Sequence, residues 1–205
     1  MTAGARLGIL GGTFNPPHLG HLVCAQEAVD QLGLARVVLM PTNTPPHKEA
    51  EADPGAALRV EMCRRAVEGD DSLAVSDLEL SRPGPSFTVD TLKALHATQP
   101  ESELTFIVGG DMAMSLPEWR EPEQILALAR LGVVARAGAA RADIEARLAA
   151  FGGRGRVDHF TMPRLDISST DLRRRVAHGR PIRYLVPDTV ADFVAERGLY
   201  RGVPA

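Results

Sequence analysis

The chain has no excess of basic charge, little cysteine and no long apolar run. Its formal net charge is −3, whereas a nucleic-acid footprint normally needs a basic face, so nucleic acid is set aside as a partner. The two cysteines, Cys24 and Cys63, match no zinc or redox spacing and read as reduced thiols in or near the core. No segment reads as a signal peptide or is apolar for long enough to span a bilayer, which predicts a cytoplasmic protein with no membrane partner. The Gly-Lys-Ser/Thr of a Walker A loop and the G-x-G-x-x-G fingerprint are both missing, which removes two common nucleotide-binding classes. So are a Ser/His/Asp arrangement, an activated cysteine and a carboxylate cluster able to cage a metal, and no protein-held metal site is expected. Aromatic residues amount to 4%, so a core must be largely aliphatic.

What is present suits one α/β domain. A chain of 205 residues, 44% of them hydrophobic, is long enough for a single compact unit. Short apolar strands alternate with helical patterns, which predicts a parallel sheet with helices on both faces. Strands are expected at Arg6–Leu10, Arg36–Met40, Leu73–Val75 with Leu78–Leu80, Leu104–Val108, Leu131–Ala135 and near Arg156–Phe160. Helices are expected at Leu19–Leu32, Ala56–Glu68, Thr88–Ala97, Pro122–Leu128, Ala142–Ala150, Ser169–His178 and Asp188–Arg197. Residues 1–205 read as a single domain with a small helical part from about residue 166. Leu58, Met62, Ala66 and Val67 form an apolar helix face that reads as core. Glu49–Gly55 is acidic and turn-rich, predicting an exposed loop, and Arg136–Arg141 reads as a linker.

The densest chemical signal is Gly11-Gly12-Thr13-Phe14-Asn15-Pro16-Pro17-His18-Leu19-Gly20-His21, between the first strand and the first helix. Glycines 11 and 12 let backbone approach a ligand, and the two prolines stiffen the turn. His18 and His21 are three residues apart at a helix start, so they share one side of its first turn, beside the positive end of the dipole. Imidazoles and backbone N–H groups gathered around one point are what a phosphate requires. A glycine turn with two surface histidines is the plainer reading, and the H-x-x-H spacing directly after the turn disfavours it.

Four later segments carry further chemistry. Pro41-Thr42-Asn43-Thr44-Pro45-Pro46-His47-Lys48 follows a strand's carboxyl end, where ligands bind in open α/β sheets, and supplies donors and a positive charge. Ser81 to Leu92 is a turn cluster running into a helix, with Ser86 or Thr88 as N-cap and the Thr88 hydroxyl suited to a small carboxylate; capping alone would also explain it. In Val108-Gly109-Gly110-Asp111, an Asp just past a strand can hydrogen-bond a ribose, or simply cap the next short helix. The lone Trp119 nearby reads by itself as a packing anchor. Asp166-Ile167-Ser168-Ser169-Thr170-Asp171-Leu172-Arg173 reads as the start of a late helix, with Ser168 and Asp171 as a capping box and Ser169, Thr170 and Arg173 able to face an anion. Arg174, Arg175, Arg180 and Arg183 read as its solvated side.

Together these segments resemble the nucleotidyltransferase superfamily with the H-x-G-H signature, and within it the bacterial nicotinate-nucleotide adenylyltransferases. The resemblance runs from Arg6 to about Tyr200 and rests on H-x-G-H, P-P-H-K, G-P-S-[YF]-T-x-D-T-L, G-x-D with L-P-x-W, and I-S-S-T-x-x-R. Asn15 stands where the family usually has Asp. The resemblance implies a Rossmann-like open parallel sheet of the nucleotidyltransferase type, with ATP, nicotinate mononucleotide and Mg²⁺ as ligands. It implies catalytic roles for His18, His21, Lys48 and Arg173. Contacts to ATP are implied for Gly11, Gly12, Thr13, Phe14, His18, Gly20, His21, Gly109, Asp111, Ile167, Ser168, Ser169, Thr170 and Arg173. Asn15, Thr44, His47, Lys48, Ser86, Thr88 and Trp119 would hold nicotinate mononucleotide, with Thr88 on its carboxylate and Trp119 on its ring.

The implied reaction is adenylyl transfer to nicotinate mononucleotide in NAD biosynthesis. Phosphate chemistry of this kind needs positioning and charge rather than covalent help, which agrees with the absence of a nucleophilic triad. Phosphopantetheine adenylyltransferases share H-x-G-H and I-S-S-T but lack the middle motifs. Two readings stand beside these: an enzyme accepting both acid and amide mononucleotides, and a non-catalytic nucleotide-binding regulator. A homo-oligomer is compatible with the sequence.

Overall fold

The computed structural model describes residues 4–44, 52–82, 84–135 and 140–201. Six strands form one sheet: β1 (Arg6–Gly12), β2 (Arg36–Pro41), β3 (Leu73–Val75), β4 (Glu103–Gly109), β5 (Ala129–Ala135) and β6 (Val157–Thr161). Their order is β3-β2-β1-β4-β5-β6 and every pairing is parallel, as the alternating pattern implies. A parallel sheet covered on both faces needs near-continuous apolar strands. Leu7 to Leu10 and Leu104 to Val108 are buried throughout, with only the small Gly8 and Thr105 interrupting their large apolar side chains. The chain steps outward from β1 to β3, then returns to lay β4 on the other side of β1. At that reversal the carboxyl ends of β1 and β4 diverge and leave a crevice.

The helices are α1 (Leu19–Leu32), α2 (Ala56–Ala66), α3 (Thr88–Thr98), α4 (Gly110–Ser115), α5 (Pro122–Leu128), α6 (Arg141–Ala149), α7 (Ser169–Ala177) and α8 (Asp188–Glu196). Successive strand residues point to opposite faces. Ile9 and Phe106 join a core with Leu92 of α3, Ile125 of α5 and Leu148 of α6, while Leu10 and Ile107 join one with Ala25 of α1 and Cys63 of α2. A third cluster packs Leu172 of α7 and Val190 and Phe193 of α8 against Met62 of α2. Among the described residues no helix is long and apolar enough to cross a membrane.

Three expectations need correction. Leu78–Leu80 is a turn, not a strand: Ser76 N–H still reaches Leu39 O at 3.1 Å, but Leu80 N–H then closes onto Asp77 O at 2.9 Å. Glu79 turns inward there and accepts from Thr91 Oγ1 at 2.6 Å, ending the ladder. Arg141 opens α6 rather than ending a linker; residues 136–139 lie outside the described residues. The short helix expected after β4 is α4, but its N-cap is Gly109 and Asp111 lies inside its first turn instead of capping it.

Candidate active site

The turn after β1 is held by segments from across the chain. Gly12 O accepts Thr42 N–H at 2.9 Å, Thr13 O accepts Arg59 Nη1 at 2.9 Å, Asn15 O accepts Arg173 Nη1 at 2.9 Å, and Pro16 O accepts Ser169 Oγ at 2.8 Å. Phe14 sits at φ 51°, a left-handed conformation that costs a bulky residue energy and persists only where the surroundings impose it. Here they do: its ring is 2% exposed and meets His21 edge-on, centroids 4.9 Å apart. Gly12 leaves the room, since a Cβ there would stand 3.1 Å from the Phe14 ring.

His18 is the N-cap of α1 and His21 lies in its first turn, on the shared side that the spacing predicts. The two rings stack with centroids 3.7 Å apart and planes 24° from parallel. His18 N–H donates to His21 Nδ1 at 3.2 Å. An Nδ1 that accepts carries no proton in the neutral ring, so Nε2 holds it and is the donor His21 can offer a ligand. The first turn of α1 contains no acidic side chain, so its positive end is left for an anion. Gly20 lies against the stack: a Cβ would be 3.1 Å from His18 Cε1 and Nδ1.

His21 opens onto a cleft of about 360 Å³ at the strand-order reversal. Its floor is Gly11 of β1 with Phe106 to Gly109 of β4 and Val133 to Ala135 of β5, and Asp111, Trp119, Arg141 and His159 stand around it. The Trp119 indole is fixed by donating Nε1–H to Ser115 Oγ at 3.1 Å and by a T-shaped contact with Phe106, centroids 6.1 Å apart. The structure therefore brings Gly11, Gly20, His21, Gly109, Asp111 and Trp119 around one space. Asp111 is exposed in the first turn of α4.

A second pair of loops closes alongside. Ser86 N–H donates to Thr44 O at 3.0 Å, Asn43 N–H donates to Ser86 Oγ at 3.0 Å, and Asn43 Nδ2 donates to Arg82 O at 3.1 Å. The expected N-cap of α3 is corrected: Phe87, whose side chain has no polar atom, occupies that position without a side-chain cap, while the Ser86 hydroxyl accepts Asn43 N–H and Thr88 is the first residue of the helix. Thr88 is the half-buried first residue of α3, and its hydroxyl makes no hydrogen bond to a described residue. His47 and Lys48 lie outside the described residues.

The late helix start docks on the first turn. Ser168 caps α7 by accepting Asp171 N–H at 3.1 Å, which is the N-cap half of the capping box. Ile167 packs on the third core cluster, Ser169 bonds Pro16, and Arg173 also donates to Thr170 Oγ1 at 3.3 Å. Asn15 is 3% exposed and its Oδ1 accepts from Tyr200 OH at 2.7 Å, so its side chain ties the turn to the end of the fold. Burial pushes the Tyr200 phenol's pKa upward. Of the arginines expected on the solvated side of α7 and just beyond it, Arg174 and Arg180 are exposed, Arg183 pairs with Asp188 and Arg175 donates to Pro181 O.

Sequence reasoning missed Arg59 and His159. The Arg59 side chain is 0% exposed and its guanidinium donates to Thr13 O, to Asn43 O at 3.1 Å and to Asp53 Oδ1 at 2.9 Å. The available signal is a charge on the buried face with Met62 and Cys63, at i+3 and i+4. His159 is 7% exposed in its side chain, with Nε2 3.2 Å from Glu145 Oε1; nothing local marks it. Among the described residues no group of three or more His, Cys, Asp or Glu side chains could hold a metal ion.

The sequence model of a cytidylyltransferase-like family matches residues 9–175. A protein of Roseiflexus sp. named a probable nicotinate-nucleotide adenylyltransferase is 46% identical over 198 residues, 96% of this chain and 98% of that one. One of the same name from Symbiobacterium thermophilum is 43% identical over 198 residues, 96% and 95% of the two chains. Among solved structures, Plasmodium falciparum nicotinic acid mononucleotide adenylyltransferase complexed with NaAD superposes with a TM-score of 0.78 at 17% identity, covering 96% of this chain and 97% of that one; this likeness bears on the fold.

Proposed function

Because the chain belongs to the cytidylyltransferase-like family and, within it, to the nicotinate-nucleotide adenylyltransferases, we propose that it makes nicotinate adenine dinucleotide and pyrophosphate from ATP and nicotinate mononucleotide. The observation that carries the proposal is His21, stacked on the buried His18 and opening onto the same cleft as Asp111 and Trp119. This is a step of NAD biosynthesis, carried out in the cytoplasm.

A phosphate oxygen of nicotinate mononucleotide attacks the α-phosphorus of ATP in line. The new P–O bond forms as the bond to the bridging oxygen breaks, and the electron pair leaves with pyrophosphate. The attacking oxygen is already ionised at neutral pH, so no strong base is needed. His21 donates its Nε2–H to a non-bridging α-phosphate oxygen as charge builds, and His18, at the N-cap, supports it there. Lys48 and Arg173 hold the leaving pyrophosphate beside the start of α7, where Ser169 and Thr170 line its approach.

Gly11 to Phe14 and Gly109 let backbone lie close to ATP, Asp111 bonds its ribose, and Ile167 with Ser168 borders the base. Asn15, Thr44, His47, Lys48 and Ser86 frame the mononucleotide. The Thr88 hydroxyl and the start of α3 take the nicotinate carboxylate, and Trp119 stacks on the pyridine ring. A Mg²⁺ arriving with ATP would draw its ligands mainly from substrate and water, with no carboxylate cage among the described residues to hold it, and would supply charge neutralisation on the triphosphate.

The test is pyrophosphate release with Mg²⁺-ATP and, separately, nicotinate mononucleotide, nicotinamide mononucleotide or phosphopantetheine. Release strongest with nicotinate mononucleotide is expected. Turnover with phosphopantetheine alone would transfer the chain to the sister reaction, and no release with any acceptor would sink the enzymatic reading.

A further inference from the structure

The buried carboxylate of Glu79 has no part in the reaction as described, yet it is tied to a cation beside α3. Its side chain is 7% exposed, against 29% for Arg82. Thr91 Oγ1 donates to Glu79 Oε1 at 2.6 Å and accepts from Arg82 Nη2 at 2.5 Å, so one hydroxyl joins the two charges, with Arg82 Nη2 4.0 Å from Glu79 Oε1. Glu79 Oε2 is sealed from solvent and accepts no hydrogen bond among the described residues. Burying an anion with one oxygen unpaired is costly, and Arg82 is the cation that offsets it. Only Nη2 of that guanidinium donates to a described residue, which leaves Nε and Nη1 able to serve a ligand.

The pair lies on one particular face of α3. Thr88 and Thr91 are three residues apart in that helix, so they share a face and their Cβ atoms stand about 5–6 Å apart. The guanidinium bonded to Thr91 is thereby brought within about 8 Å of the Thr88 hydroxyl. Other charges around this turn are engaged elsewhere: Asp90, two residues from Thr88 and so on a different face, pairs with Arg120 at 3.4 Å, and Lys93 pairs with Glu121 at 2.6 Å. Arg82 thus stands on the Thr88 face with the more buried Glu79 as its counter-charge.

We propose that Arg82 is a specificity-determining residue for the acceptor nucleotide: tethered by Thr91 and Glu79, its charge favours a pyridine carboxylate at Thr88 over an uncharged carboxamide. The assignment rests on the adenylyltransferase reading above and adds a second source of acid preference to the Thr88 hydroxyl and the helix start. Its sign is distinctive. Arg82 attracts the acid and Glu79 repels it, so removing one charge at a time moves the preference in opposite directions. A purely structural link between the turn and α3 would move it the same way from either end.

The experiment uses the full chain and compares wild type, Arg82→Gln, Glu79→Gln and Arg82→Lys. Steady-state pyrophosphate release gives the ratio of kcat/KM for nicotinate mononucleotide to that for nicotinamide mononucleotide. A unit charge about 8 Å away in partly buried surroundings corresponds to a factor of about 10 or more, so Arg82→Gln, which leaves Glu79 uncompensated, should lower the ratio by that factor. Glu79→Gln leaves Arg82 unopposed and, acting from farther off, should raise the ratio about threefold or more. Arg82→Lys keeps the charge and should keep most of the preference. Opposite shifts in the two Gln variants support the proposal; an unchanged ratio in either, or shifts of the same sign, overturns it. Should Arg82→Gln fail to fold, Glu79→Gln decides: a raised ratio supports the proposal, and an unchanged or lowered one overturns it. Wild type that turns over acid and amide equally leaves adenylyl transfer standing and overturns this inference. Wild type that releases no pyrophosphate with either mononucleotide overturns the reading of function and this inference with it.

Discussion

Replacing Gly20 with Ala should separate catalysis from stability. The added Cβ would lie 3.1 Å from two atoms of the His18 ring, whereas unstrained carbon contacts are near 3.5–4.0 Å. Relief requires a ring movement of about half an ångström. His18 is 6% exposed and stacked at 3.7 Å on His21, so it can retreat only by displacing its partner. A misplacement of about 1 Å costs on the order of 10² in rate, so half of that predicts roughly a tenfold fall in kcat. Stability is expected to fall by about 0–2 kcal/mol, because Ala gains about 1 kcal/mol over Gly in a helix while crowding costs about 1–3 kcal/mol. Pyrophosphate release and a thermal melt read the two quantities. A variant with kcat within twofold of wild type and an unchanged melt would refute the claim that the histidine stack sets the reaction geometry.

Three further outcomes follow from single contacts. Thr88→Ala should cut discrimination between nicotinate and nicotinamide mononucleotides by about 10-fold or more, the worth of one hydrogen bond to a charged group, read as the ratio of kcat/KM values; an unchanged ratio removes Thr88 from the carboxylate pocket. Tyr200 has its pKa raised by burial, so near pH 10 and above the unfolded chain loses that proton while the folded chain keeps it, and stability falls as pH rises. Tyr200→Phe should flatten that alkaline decline in urea titrations, and at neutral pH cost about 1 kcal/mol for the bond to Asn15; Cys63, also raised by burial, acts in the same sense and remains. The Asp158 carboxyl is held low by its hydrogen bonds from Arg130, at 2.5 and 2.7 Å, so its contribution is present above pH about 4 and lost as pH falls. With the two side chains 33% and 29% exposed, Asp158→Asn should cost only about 1 kcal/mol at pH 7 and reduce the acid dependence. An acid limb identical to wild type would count against it.

The α/β architecture and the first helix were legible because their signals are local. Leu19–Leu32 begins after a proline turn and ends at Gly33, whose φ of 60° closes the helix in the left-handed region, and both ends lie within a few residues of what causes them. The His18–His21 spacing places the two rings together for the same reason: one helical turn suffices. Leu78–Leu80 shows where local pattern misleads, since an apolar alternation is indistinguishable from a strand until a buried Glu79 finds Thr91 twelve residues away.

Local chemistry thus settled the element sequence, the turn after β1 and the residue types able to meet phosphate. Packing settled the rest. The order β3-β2-β1-β4-β5-β6 creates the crevice, and it depends on which strand lies beside β1, a choice no strand states within its own residues. Arg173 and Ser169 reach the first turn across 158 and 153 residues, and Tyr200 reaches Asn15 across 185. Arg59 looks like an ordinary surface charge until α2 turns it inward onto two carbonyls and a carboxylate. Periodicity and capping act over one or two helical turns, whereas a buried polar group is tolerated only where distant partners converge on it.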